Sequence, residues 1–319
     1  MNARRSFANL EEARPFLTKP LNLAIGMFDG VHLGHQAVVR GAIQAARANG
    51  GLSAVLTFWP HPSRLFKPDD PVRLLQTPPY RERLLFELGV DAVITQPFTR
   101  EFASIKAEEM LPFLQKALPT LVGVHVGENW RFGRGRAGDV TFLQAEGKKL
   151  GLQIVSTPRV STEGEAVSST RIRTLLAQGA ITEVNALLGY TYFSEGMVVP
   201  GKKLGRTLGF PTLNLAWQPD LAPRYGVYVV RIRTLRQEGS PWLPAVANYG
   251  LRPTVEQTTE PRLEVHVIGK CDLGEGDDVQ VEWLSFLRPE MSFAHVDELK
   301  TQIASDRERA SAYFSRPGT

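Results

Sequence analysis

The chain has 319 residues, 43% of them hydrophobic, which is enough for two packed cores. No run approaches the ~20 apolar residues of a membrane span, and the charged start at Arg4, Arg5, Glu11 and Glu12 lacks the apolar core of a secretion signal, so a cytoplasmic protein is expected. A net charge of +4 is a mild excess that suits phosphorylated ligands and nucleic acid alike, and the lone Cys271 excludes an internal disulfide.

From Leu21 to about Leu188, short apolar runs alternate with helical patterns. Strands are predicted at Leu21–Phe28, Leu52–Phe58, Ala92–Gln96, Leu121–Val126 and Gln153–Thr157. Helices are predicted at Val38–Asn49, Tyr80–Leu88, Lys106–Leu118 and Val140–Leu150, several closed by a following glycine. Such alternation predicts an α/β doubly wound parallel sheet with ligands at the carboxyl ends of its strands. Helices at Arg171–Gln178 and Ile181–Leu188 bridge to a stretch of different texture. There, β-rich runs at Val198–Val199, Val227–Ile232, Leu243–Asn248, Leu263–Ile268 and Val279–Phe286 are separated by Gly/Pro turns. With the amphipathic helix Val296–Phe314 they predict a small antiparallel β-barrel with a C-terminal helix. The domain boundary is expected between residues 186 and 187.

The first strand breaks into Gly26-Met27-Phe28-Asp29-Gly30-Val31-His32-Leu33-Gly34-His35. Glycines there let backbone approach a ligand, and the following helix offers free N–H groups to an anion. His32 and His35, three apart, can act as donors toward one phosphate. A surface pair is the plainer alternative; a metal site lacks its third ligand. Thr57-Phe58-Trp59-Pro60-His61-Pro62, with Phe66 beyond it, follows the second strand as a proline-stiffened aromatic loop. The fourth strand runs into Gly127–Asp139, where Asn129, Trp130 and Phe132 stand among arginines and glycines. Interleaving of this kind also describes a single-stranded nucleic-acid surface, but its placement is that of a mononucleotide site. Ser168-Ser169-Thr170-Arg171-Ile172-Arg173 is a capped helix start with two arginines.

In the second half, Gly201–Asn214 is another glycine-rich cationic loop without P-loop spacing. Thr212 and Asn214 alternate on an extended segment, so their oxygens can share one Mg²⁺ on ATP. In Arg262–Ile268 the alternation sets Glu264 and His266 opposite Leu263, Val265 and Val267. Such a carboxylate can take the proton of a hydroxyl attacking a γ-phosphate, or it can simply face solvent.

Together these segments resemble the prokaryotic bifunctional riboflavin kinase/FAD synthetases over nearly the whole chain. The HxGH turn and its Phe-Asp-Gly lead-in resemble the adenylyltransferase half of that family, and Gly209-Phe210-Pro211-Thr212-Leu213-Asn214 resembles its kinase signature. The resemblance implies phosphorylation of riboflavin to FMN in the barrel and adenylylation of FMN to FAD in the α/β domain, both with ATP and Mg²⁺. It implies catalytic roles for His32, His35 and Glu264, and metal-binding roles for Thr212 and Asn214. ATP contacts would fall on Gly26, Phe28, Asn129, Ser168, Ser169, Thr170, Arg173, Gly201, Lys203 and Gly205. Flavin contacts would fall on His61, Phe66, Trp130, Phe132 and Arg288, the last within Leu287-Arg288-Pro289-Glu290. The partners expected are riboflavin, FMN and ATP, with neither nucleic acid nor membrane; weak homo-oligomerisation stays open.

Overall fold

The apolar runs of the first half are buried on both faces, as parallel strands between helix layers must be. In the computed structural model, which describes residues 4–201, 204–237, 239–251 and 261–316, six strands pair in parallel. These are β1 (Arg5–Phe7), β2 (Leu21–Ile25), β3 (Leu52–Trp59), β4 (Ala92–Pro97), β5 (Leu121–Gly127) and β6 (Gln153–Thr157), in the order β1-β4-β3-β2-β5-β6. Around them lie α1 (Leu10–Ala13), α2 (Leu33–Ala48), α3 (Pro62–Phe66), α4 (Pro78–Glu87), α5 (Arg100–Ser104), α6 (Ala107–Ala117) and α7 (Val140–Lys149). Leu21, Leu23, Leu56, Ile94, Leu111, Leu114 and Val124 form the fully buried centre of this unit. Because β2 has β3 on one side and β5 on the other, the loops after these three strands leave one edge of the sheet side by side.

Two predicted limits move for local reasons. β2 stops at Ile25 rather than Phe28, because Phe28 (φ 51) and Val31 (φ 37) are left-handed and cannot continue a strand. α2 begins at Leu33, before the first regular apolar position at Val38, because the His32 side chain caps it.

A short hairpin of β7 (Ser161–Thr162) and β8 (Glu165–Ala166) precedes α8 (Ser169–Gln178) and α9 (Ile181–Leu188). The second half closes into an antiparallel barrel. Its strands are β9 (Phe193–Val199), β10 (Leu213–Leu215), β11 (Gly226–Thr234), β12 (Leu243–Gly250), β13 (Arg262–Val267) and β14 (Asp278–Arg288), with α10 (Leu204–Thr207) and α11 (Val296–Phe314) outside. Its centre is aromatic: Tyr192, Tyr228, Tyr249 and Trp283 are fully buried, and the Trp283 indole N–H donates to Ser194 Oγ at 3.1 Å.

The chain divides into compact units at Ser169/Thr170, which places α8 and α9 with the barrel. The reason is visible in bonds. The Asn185 side chain donates to the Trp283 carbonyl at 2.8 Å and accepts from the Tyr192 N–H at 2.7 Å, while the Arg224 N–H donates to the Leu176 carbonyl at 3.1 Å.

Candidate functional site

The turn after β2 is built around two stacked imidazoles. His32 and His35 have ring centroids 3.6 Å apart at 16°, and His32 Nδ1 accepts from the His35 backbone N–H at 3.3 Å. Phe28 packs edge-on against His35 with centroids 5.3 Å apart. Phe28 is 1% exposed, and its ring would lie 3.2 Å from a Cβ on Gly26, so Phe28 packs the turn from inside. A Cβ on Gly34 would come within 3.2 Å of His32 Cε1, so this glycine leaves room for the imidazole. The buried Asp29 carboxylate accepts from the N–H groups of Leu75 (3.0 Å) and Gln76 (3.4 Å), and its carbonyl accepts from Ser169 Oγ at 2.8 Å. Ser168 precedes α8, and Thr170 and Arg173 continue that helix in the second compact unit.

The loop after β3 sets His61 as the cap of α3, its Nδ1 accepting from the Ser63 N–H at 3.1 Å. Phe66 is 62% exposed and packs edge-on against Phe98, with centroids 6.1 Å apart. After β5, Trp130 stacks on Phe132 at 4.6 Å and 14°. Phe132 is buried in the core, and its ring fills the space that a Cβ on Gly138 would need. Asn129 instead lines an open polar cavity of about 350 Å³, shared with Glu128, Arg131, Arg136, Asp139, Val140, Thr141 and Arg159. Arg131 pairs with Asp139 at 3.4 Å and Arg159 with Glu128 at 3.3 Å.

In the barrel, register assembles a polar row. Glu264 on β13 faces Asn214 on β10 and Asn248 on β12. Directly opposite residues lie within about 5.5 Å of one another at Cβ. The Asn214 side chain is buried, and its Oδ1 has no hydrogen-bond partner among the described residues. A Cβ on Gly201 would overlap the Asn214 amide, and one on Gly205 would come within 3.4 Å of Thr212 Oγ1. Gly201 is thus packed directly against the Asn214 amide, and Gly205 against the Phe210 carbonyl, close to Thr212. His266 Nδ1 bonds the Pro211 carbonyl at 2.8 Å, which fixes the segment carrying Thr212. Lys203 lies outside the described residues. Arg288 Nε and Nη2 donate to the buried Asp306 carboxylate of α11 at 3.1 and 2.7 Å, and Nη1 donates to the Pro289 carbonyl.

Comparison with known proteins agrees with this two-part layout. Residues 17–171 match the family described as FAD synthetase, and residues 188–314 match the family described as riboflavin kinase. The bifunctional riboflavin kinase/FMN adenylyltransferase of Escherichia coli K12 is 39% identical over 92% of each chain. Its counterpart in Listeria monocytogenes is 33% identical, again over 92% of each. The chain belongs to the bifunctional riboflavin kinase/FMN adenylyltransferase family. A solved structure described as a macrolide-efflux protein from Streptococcus pneumoniae is 31% identical, with a TM-score of 0.84 over 97% of this chain and 98% of that one. Among the described residues of this family member, no helix is long and apolar enough to cross a membrane, and no group of three His, Cys, Asp or Glu is arranged to hold a metal ion.

Three further side chains hold the turn of the first site. Thr57 Oγ1 and Arg81 Nη1 both donate to the Met27 carbonyl, each at 3.1 Å, and Asp29 anchors the far side of the same turn. Arg81 looks in sequence like an ordinary helical arginine; only its 2% exposure marks it.

Proposed function

We propose that this family member makes flavin cofactors in two steps at two sites. The barrel unit transfers the γ-phosphoryl group of ATP to the primary hydroxyl of riboflavin, giving FMN and ADP. The α/β unit transfers AMP from ATP to FMN, giving FAD and pyrophosphate. The carrying observation is that each family match covers a different structural unit, one holding the stacked histidines and the other the Glu264 row.

For adenylyl transfer, a phosphate oxygen of FMN attacks the α-phosphorus while the bond to pyrophosphate breaks. That oxygen is already ionised, so no base is needed. His32 and His35 stand at a glycine-rich turn and helix start, where they act as donors to charge building on the leaving group. Ser168, Ser169, Thr170, Arg173 and Asn129 are proposed to hold ATP, with the Gly26 and Phe28 backbone. His61, Phe66, Trp130 and Phe132 are proposed to hold the flavin. The stacked Trp130–Phe132 pair supports an aromatic platform in which Phe132 is the buried support.

For phosphorylation, Glu264 takes the hydroxyl proton as the oxygen attacks the γ-phosphorus. Thr212 and Asn214 offer hard oxygen donors, and the unpartnered buried Oδ1 with a glycine on its back fits a cation such as Mg²⁺. When bound there, the cation supplies charge neutralisation at the ATP phosphates. Gly201, Lys203 and Gly205 are proposed to line the same phosphates. Arg288, held by Asp306, is proposed to contact the flavin. The functional division is proposed at 186/187, within the stretch that neither family match covers. Chromatography after incubating the protein with riboflavin, ATP and Mg²⁺ tests all of this: FMN and then FAD are expected, and FMN unchanged to the end defeats the second activity.

A further inference from the structure

The Met27 carbonyl is held by two side chains from different elements, Thr57 of β3 and Arg81 of α4. Arg81 is 2% exposed, and its Nη2 is buried without a hydrogen-bond partner among the described residues. Burial lowers the pKa of its guanidinium from the ordinary value, while attraction to Asp29 and Glu82 opposes that effect. A buried guanidinium edge that makes no hydrogen bond is expensive to keep. It sits directly beneath the turn that carries His32. The same turn holds two non-glycine residues in the left-handed region, and Val31 is β-branched, the least tolerant type there. Such backbone persists only where the surroundings over-determine it. A planar trans peptide points its N–H opposite its carbonyl, so drawing the Met27 oxygen inward turns the Phe28 N–H away from Arg81.

We propose that Arg81 is a positioning residue for adenylyl transfer: with Thr57 it fixes the Met27–Phe28 peptide of the histidine turn, and it sets a buried positive charge under the nucleotide phosphates. The proposal rests on the reading of this turn as the adenylyl-transfer site. Arg81 reaches the reaction through the backbone and its field, so its loss acts on turnover more than on ATP capture. A displaced reacting geometry costs about 10²-fold even when the altered residue is remote from the chemistry.

The test compares Arg81→Met, Arg81→Lys, Thr57→Val and His32→Ala in the full chain, with FMN, ATP and Mg²⁺ as substrates. Riboflavin kinase activity of each variant serves as the internal control for an intact chain. Arg81→Met is expected to lower adenylyl-transfer kcat about 10²-fold, with KM for ATP moving far less, and Arg81→Lys to recover most of that loss by restoring the charge. Thr57→Val is expected to lower kcat more weakly, and to add less when combined with Arg81→Met than it costs alone, because both donors serve one carbonyl. Wild-type kcat in a folded Arg81→Met chain, or a loss that Arg81→Lys does not recover, overturns the positioning role while a dead His32→Ala leaves the site reading standing. Wild-type adenylyl transfer in His32→Ala overturns both. Should Arg81→Met fail to fold, wild-type kcat in Thr57→Val overturns the proposal.

Discussion

Glu264 stands between Asn214 and Asn248 in the barrel register, so two amide side chains occupy the positions beside it on the neighbouring strands. Glu264→Gln keeps the shape and removes the acceptor. Kinase kcat is expected to fall about 10²–10⁴-fold, with riboflavin KM little changed and FAD formation from supplied FMN untouched. Steady-state kinetics on the two half-reactions checks this, and a Gln variant with full kinase turnover would reduce Glu264 to an ordinary strand carboxylate. Gly201 gives a second residue-scale test, because a methyl there would occupy the space of the Asn214 amide. Gly201→Ala is expected to weaken use of Mg²⁺-ATP by the kinase, seen as a raised Mg²⁺ requirement, while adenylyl transfer stays normal. In the other unit, His32→Ala with His35→Ala is expected to lower FAD formation by at least about 10²–10³-fold, the usual cost of removing preorganised donors, and to spare riboflavin phosphorylation.

Between strands and helix, β5 hides a different liability. His125 is 1% exposed and faces α2 at Gly41; among the described residues neither ring nitrogen has a hydrogen-bond partner, and the Asn22 amide beside it on β2 is likewise unpartnered. Burial pushes the imidazole down to about 4 from an ordinary value of 6.5, so the folded chain holds it neutral. The folded value lies below the unfolded one, so the unfolded chain takes up the extra proton. Stability from this residue is therefore complete above about pH 6.5 and lost as pH falls through the window, by about 3 kcal/mol at pH 4. Urea unfolding of the α/β unit at pH 7 and pH 4 is expected to show that drop, and His125→Leu to remove most of it. An equal pH slope in both proteins would assign acid lability to other groups. The elements themselves were legible to different degrees. Gln153–Thr157, Ile181–Leu188 and Val296–Phe314 appear with the predicted limits, because each has a complete periodic pattern. β1, β10, α3 and α5 were not anticipated. Each has three to five residues, too few to show a period, and each exists because its neighbours pair with it or pack on it.

For the whole molecule, the testable matter is where the kinase half begins. A fragment starting at Thr170 keeps α8, α9 and both bonds of Asn185, and it is expected to fold and phosphorylate riboflavin. A fragment starting at Leu187 keeps the barrel and its closing helix but leaves the Trp283 carbonyl and Tyr192 N–H without Asn185. It is expected to retain the activity with stability lower by about 1–3 kcal/mol. Melting curves and kinase assays on the two fragments decide the matter; an inactive but folded Thr170 fragment would misplace the kinase site.

The amino-acid sequence by itself determined the order of the two architectures and the strand-turn-helix carrying His32 and His35. Those properties live in short windows, where glycine placement and alternation act through local backbone sterics. Register and burial decided the rest. That Glu264 faces Asn214 and Asn248, that Phe132 supports Trp130 from the core, that Arg288 is taken by Asp306, and that Arg81 lies beneath Met27 all depend on partners distant in sequence. No local pattern encodes such meetings, because the free energy that buries an arginine or selects a register comes from contacts formed only once the sheet and the barrel have closed.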